Sequence, residues 1–216
     1  MANTNANPFL NALFNEPSSM PLETFKNNVY TNHLFGISMQ IPKGWYVVSS
    51  DKFNIQGRKQ TLNDGFEDMK MELFELIGSP ILTITKHDPD NTIFEGIVSP
   101  TINFNMDVKE GEYKHMSLFT YANELDVQGE ACALKDFKIL RKGSLFKICD
   151  FDCIQFDTEY LFEHEELSNA VKVEMSVLNI DYKDYFLDIT LTQCQAQNQT
   201  AVKEFMTFVE TIQLDV

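Results

Sequence analysis

The stretch Tyr30–Trp45, Y-T-N-H-L-F-G-I-S-M-Q-I-P-K-G-W, decides the fold. Ile37, Met39 and Ile41 alternate with Ser38 and Gln40, the period-two pattern of a strand with one buried face. Pro42 ends the ladder because it has no N–H to donate, and Gly44 completes the turn. Trp45, the chain's single tryptophan, follows where the strand ends. Its large apolar surface reads as core that caps the sheet edge, not as a ligand contact.

Working outward, the same alternation returns in Ile81 to Lys86 and in Thr101 to Val108. In the second run Ile102, Phe104, Met106 and Val108 face one way, with Thr101, Asn103, Asn105 and Asp107 opposite. Phe137 to Ile148 and Phe151 to Phe162 predict a hairpin turning at Cys149-Asp150. A second hairpin carries Val171, Val173, Met175 and Val177 on one strand, turns at Asp181-Tyr182-Lys183-Asp184, and returns through Tyr185, Leu187, Ile189 and Leu191.

Three segments have helical spacing instead. Leu62, Phe66, Met69, Leu73 and Leu76 form one apolar stripe behind a Thr61 cap. Leu118, Ala122 and Leu125 carry a weaker pattern from Ser117 to Ala133, where Gly129 costs roughly 1 kcal/mol. The last helix is predicted from Asn198 to Leu214, with Val202, Phe205, Val209 and Ile212 on its buried side. Antiparallel strands with three amphipathic helices predict an α+β fold, an α/β/α sandwich with a central antiparallel sheet and helices on both faces.

Residues 1–28 are rich in Asn and broken by Pro8, Pro17 and Pro21, so they read as a flexible tail; residues 29–216 read as a single domain. The cluster Phe9, Leu10, Leu13 and Phe14 could dock on that body or on a partner. No apolar run approaches the roughly 20 residues a membrane-spanning helix needs, and the N-terminus lacks the basic and apolar blocks of a secretory signal. A cytoplasmic protein is expected, or an exported one if a leader has been removed.

Seventeen Lys and Arg against 32 Asp and Glu give a formal charge of −15. Such a field repels phosphate backbones and anionic membranes, which argues against nucleic acid as a partner. It would steer a basic protein surface, and it also serves solubility. Four scattered cysteines, Cys132, Cys149, Cys153 and Cys194, imply free thiols and no disulfide framework.

Tyr30-x-Asn32-x-x-Phe35-Gly36-Ile37-Ser38 followed by Ile41-Pro42-x-Gly44-Trp45 resembles the opening of proteins with the PsbP-like or Mog-like fold, a group that includes the DcrB-type bacterial proteins. The order of later elements is similar from residue 29 onward. The resemblance implies a central antiparallel sheet flanked by helices and a chain ending in a helix. Members of this fold serve as photosystem II subunits, as Ran binders and as chaperones for secretion effectors, so the resemblance implies binding or assembly roles much more than catalysis. Many bacterial relatives carry an export or lipoprotein leader that is not seen in this sequence.

No constellation of catalytic residues outweighs a structural reading. His164-Glu165-Glu166-Leu167-Ser168 lacks the second histidine of a zinc protease helix and reads as a solvated loop. His87-Asp88-Pro89-Asp90-Asn91 lacks the glycine and terminal Glu of a calcium loop. Cys149 and Cys153 would stand about 13 Å apart on a straight strand, too far to pair, unless a tight turn intervenes. His33 and His115 have no relay neighbours, and Asn198-Gln199-Thr200 reads as a helix start. No catalytic, metal or cofactor-binding residue is therefore assigned. The expected function is a non-enzymatic protein-binding or assembly module. The alternative is a small-molecule binder or hydrolase with a pocket between the sheet and the central helix.

Overall fold

The computed structural model describes residues 23–48, 80–88, 99–123, 135–163, 169–194 and 200–215. Its strands are β1 (Glu23–Lys26), β2 (Val29–Asn32), β3 (Ile37–Gln40), β4 (Tyr46–Val48), β5 (Leu82–Thr85), β6 (Thr101–Val108), β7 (Lys135–Lys142), β8 (Phe146–Ile148), β9 (Phe151–Phe162), β10 (Val171–Tyr182), β11 (Tyr185–Gln193) and β12 (Gln213–Leu214). A 3-10 turn covers Gly111–His115, helical residues 118–123 form α1, and Ala201–Glu210 form α2.

Every described strand pair is antiparallel, but the strands form two sheets where one central sheet was expected. The larger runs β4-β5-β6-β11-β10-β9-β7, with β8 also on β9; the smaller runs β1-β2-β3-β12. The strand of the opening motif thus belongs to the small sheet. Pro42 and the turn closed by Trp45 N–H donating to the Pro42 carbonyl (3.1 Å) separate it from β4. Lacking a backbone N–H, Pro42 breaks the ladder at the point where the chain changes sheets. The described residues therefore give antiparallel sheets with few helices, an α+β arrangement. The expected helix from Leu62 to Leu76 lies outside them.

Local chemistry explains the turns. Asn27 and Asn28 join β1 to β2, and Cys149 and Asp150 join β8 to β9, all four with positive φ, the backbone a two-residue hairpin turn requires. Gly36 turns β2 into β3 at φ +65°, and a side chain there would strike Asp215. β1 begins inside the segment expected to be tail, with Glu23 opposite Asn32 and Lys26 opposite Val29.

The main core lies on one face of the larger sheet. Ile84, Ile102, Phe104, Leu178, Ile180, Leu187, Ile189 and Leu191 are buried there against Phe205, Phe208 and Val209 of α2 and against Tyr30, Ile37, Met39 and Leu214 of the small sheet. Burying Leu- or Phe-sized side chains at about 1.5–3 kcal/mol each makes this face the dominant stabilising term. Tyr182 ties the sheets together by donating its hydroxyl to the Phe35 carbonyl (2.6 Å). Trp45 is buried in the same core, as its apolar surface demands, and donates Nε1–H to Glu204 (3.2 Å).

Further details depart from the sequence reading. The run Phe137 to Ile148, expected as one strand, is split into β7 and β8, both paired with β9. The final helix spans only Ala201–Glu210, and the chain then returns to strand, with Leu214 opposite Ile37. Its buried side is Ala201, Phe205, Phe208 and Val209, whereas Val202 is exposed. On β6, Val108 is exposed while Asn105, expected on the outer face, is buried. Alternate residues of β9, β10 and β11 turn away from the main core and form a second cluster, Ile154, Phe156, Val177 and Phe186, with Leu118, Tyr121 and Ala122 of α1.

Candidate functional site

The second face of the larger sheet is where polar residues collect. Asn105, Asp188 and Asn179 stand side by side across β6, β11 and β10. One row nearer the strand end, Asp107 opposes Phe186. Leaving such groups in an interior is costly unless they hydrogen-bond, and α1 supplies the partner.

Ser117 starts α1 as its cap: its hydroxyl accepts the Thr120 N–H (3.1 Å), and its carbonyl accepts the Tyr121 N–H (2.9 Å). The turn it begins aims Tyr121 at the sheet, where the ring stacks on Phe186 at 4.1 Å between centroids. The Tyr121 hydroxyl lies 2.5 Å from Asp107 Oδ2 and also contacts Asp188 Oδ2. Asp188 Oδ1 accepts from Asn179 Nδ2, while Asn179 Oδ1 and Asn105 Oδ1 are buried without a hydrogen-bond partner. Lys109 pairs with Asp181 and lies 4.7 Å from the Phe186 ring centroid.

Burial pushes the Asp188 carboxyl up to about 7, and the negative charge of Asp107 adds to the rise, while the bonds from Tyr121 and Asn179 oppose it. Tyr121 is raised well above the usual phenol range by burial and by both carboxylates, so it keeps its hydrogen. A shallow groove lies next to this cluster. Phe119, Ala122 and Asn123 of α1 form one wall, and Lys142, Gly143, Ile154 and Phe156 form the rest. Phe119 is 63% exposed, which makes it the most solvent-facing large apolar side chain among the described residues. Gly143 packs so closely on β9, donating its N–H to the Gln155 carbonyl (2.6 Å), that a side chain there would collide with that backbone.

The residues weighed in the sequence fall elsewhere. Cys149 and Cys153 flank the β8–β9 turn; Cys149 donates to the Ile212 carbonyl and Cys153 to that of Phe151 (3.4 Å each), and both thiols are free. Burial pushes the Cys153 thiol up to about 12, which keeps it an inert thiol. Cys194 is free and buried; Cys132 lies outside the described residues. So do His164 to Ser168 and Pro89 to Asn91. His33 contacts the Thr24 hydroxyl at 3.3 Å, and His115 closes the 3-10 turn. Among the described residues no group of three or more His, Cys, Asp and Glu is placed to hold a metal ion. The Asp107–Tyr121–Asp188–Asn179 cluster was missed. Its signal was Asp188 inside the apolar run Tyr185 to Leu191, together with the N-x-N-x-D pattern of 103–107.

No family model and no curated protein matches the chain. Solved structures similar to it include cyanobacterial PsbP (CyanoP) from Synechocystis sp. PCC 6803, with a TM-score of 0.49, 8% identity and coverage of 94% of this chain and 99% of that one. LpqN of Mycobacterium tuberculosis, described as involved in cell envelope biogenesis, scores 0.46 at 15% identity, covering 83% of each chain. A Pseudomonas aeruginosa protein of unknown function scores 0.46 at 14% identity, covering 56% of this chain and 76% of its own. These likenesses are below a TM-score of 0.5, and no residue role passes from them to this chain.

Proposed function

We propose that this protein is a non-enzymatic binding or assembly module, a single cytoplasmic domain of the PsbP-like and Mog-like α/β/α kind. In this reading its acidic surface engages a partner protein that offers a basic face. The observation that carries it is the contrast between the cluster and the groove. The one strongly perturbed carboxyl among the described residues, Asp188, is closed over by Tyr121 and Phe186, whereas the adjacent groove is shallow, apolar and rimmed by the exposed Phe119 ring. Shallow apolar surface suits a protein partner better than a small substrate.

Charge supports the same reading. Lys86, Lys109, Lys135, Lys138, Arg141, Lys147 and Lys172 are each already engaged by the protein's own carboxylates. The surplus of acids behind the −15 formal charge is left to set the outer field. The hydrolase alternative gains its carboxylates between sheet and central helix, but they converge on a protein hydroxyl that occupies the space a substrate would need.

The test is capture of partners on the immobilised full chain, followed by association kinetics of the captured protein at low and high salt. Association should slow as salt rises, since screening shortens the field to about 8 Å at physiological ionic strength. Phe119→Glu should weaken binding without lowering the melting temperature. Salt-independent association, or full binding by the Phe119 variant, would exclude this reading.

A further inference from the structure

Three oxygens meet at Tyr121: its own hydroxyl, Asp107 Oδ2 and Asp188 Oδ2, with both carboxylates in contact with the phenol. A phenol has one hydrogen and can satisfy only one of those contacts. If both carboxylates were ionised, the other contact would set an anionic oxygen against a lone pair in a buried site. A second hydrogen is needed, and Asp188 is the residue to hold it. Its Oδ1 is occupied by the Asn179 amide, its Oδ2 faces the phenol, and it is the more buried of the two acids. The chain of donors then runs from Asp188 O–H to the Tyr121 oxygen and from Tyr121 O–H to Asp107.

We propose that this extra proton, shared along Asp188, Tyr121 and Asp107, clamps α1 onto the sheet, and that its loss releases α1 and with it one wall of the groove. The groups facing the triad are Asp107 from β6 and Lys109 just beyond its end, Asn179 and Asp181 from β10, Phe186 beside Asp188 on β11, and Tyr113, whose ring meets that of Tyr121 edge-on at 5.9 Å. Lys109 is paired with Asp181, so it is not available to neutralise a second carboxylate. Burial and the neighbouring Asp107 hold the Asp188 proton to about pH 7. Once α1 leaves, Asp188 meets water and returns to about 3.9.

The sign follows from those two limits. Between about pH 4 and pH 7 the docked state holds a proton that the released state has lost, so docking weakens as pH rises; above 7 both states are ionised and the weakening stops. Phe119, Ala122 and Asn123 all belong to α1, so the groove is complete on the acid side of the window and loosens toward neutrality. The inference does not rest on what the groove binds.

Hydrogen exchange of the full chain across this window tests it. Protection of residues 118–123, corrected for intrinsic exchange, should fall about tenfold per pH unit from about pH 5 to 7. Asp188→Asn offers the same donor and acceptor without a titrating proton, and in it that protection should stay flat. Wild-type protection that does not change with pH, or an equal slope in the Asn variant, would overturn the clamp. The carboxyl carbon resonance of Asp188 in the unmodified protein gives an independent reading: a midpoint near that of an ordinary aspartate would overturn it even if the variant failed to fold.

Discussion

The two faces of the larger sheet solve the same problem in different ways. One buries Ile102, Phe104, Leu187, Ile189 and Leu191 against α2 and the small sheet, where area removed from water does the stabilising. The other carries Asn105, Asp107, Asn179 and Asp188 across the same strands, where stability depends on each polar atom finding a partner. The first face tolerates shape changes at a graded cost, while the second depends on protonation as well as packing. The apolar face thus specifies the fold, and the polar one makes part of it responsive.

Substitutions on the two faces should separate these modes. The largest effect is expected on the apolar face: Phe205→Ala, fully buried between α2 and the sheet, should cost about 3–5 kcal/mol in urea unfolding at any pH. Trp45→Ala should cost a similar amount, because truncation removes both the buried indole surface and its bond to Glu204. Unchanged stability there would place Trp45 outside the core.

On the polar face the effect should depend on pH. Asp188 keeps its proton in the folded chain to about pH 7 and loses it near pH 4 when unfolded, so its raised value destabilises the fold as pH climbs through that window. Asp188→Asn should therefore gain on the unmodified protein by roughly 1.4 kcal/mol per pH unit, levelling off above 7. A constant difference across the window would show that the carboxyl is ionised throughout. Thr83→Val, which removes the donor to Asn103 Oδ1 (2.9 Å), should cost about 1 kcal/mol with no pH dependence. The smallest effect belongs to neither face. Arg141→Ala on the exposed β7 edge should leave the unfolding midpoint essentially unchanged, since solvent-facing pairs such as Arg141–Asp157 contribute little.

How far the sequence could be read follows the same division. Thr101–Val108 was bounded correctly because its alternation is regular, and the β8–β9 turn was placed at Cys149-Asp150. The apolar face was legible because alternation states directly which residues leave water. The separation into two sheets was not, since Pro42 signals only that a ladder ends, not where the chain goes next. The polar cluster was hidden for a related reason. A strand with both faces covered still alternates, so Asn105 and Asp107 look outward-facing until the position of α1 is known. Phe208 on α2 was missed because Val202 fits the spacing equally well, and only the tilt of the helix on the sheet chooses between them.

The pairing of β12 with β3 has a consequence for the order of folding. Gln40 N–H donates to the Thr211 side chain (3.0 Å) from 171 positions away in the chain. Contacts that distant carry a large loop-closure cost, so they form after the neighbouring hairpins have already shortened the path between them. During synthesis the small sheet keeps one edge open until Gln213 and Leu214 have emerged. The motif that is easiest to recognise in the sequence is thus completed only by residues some 171 positions further along.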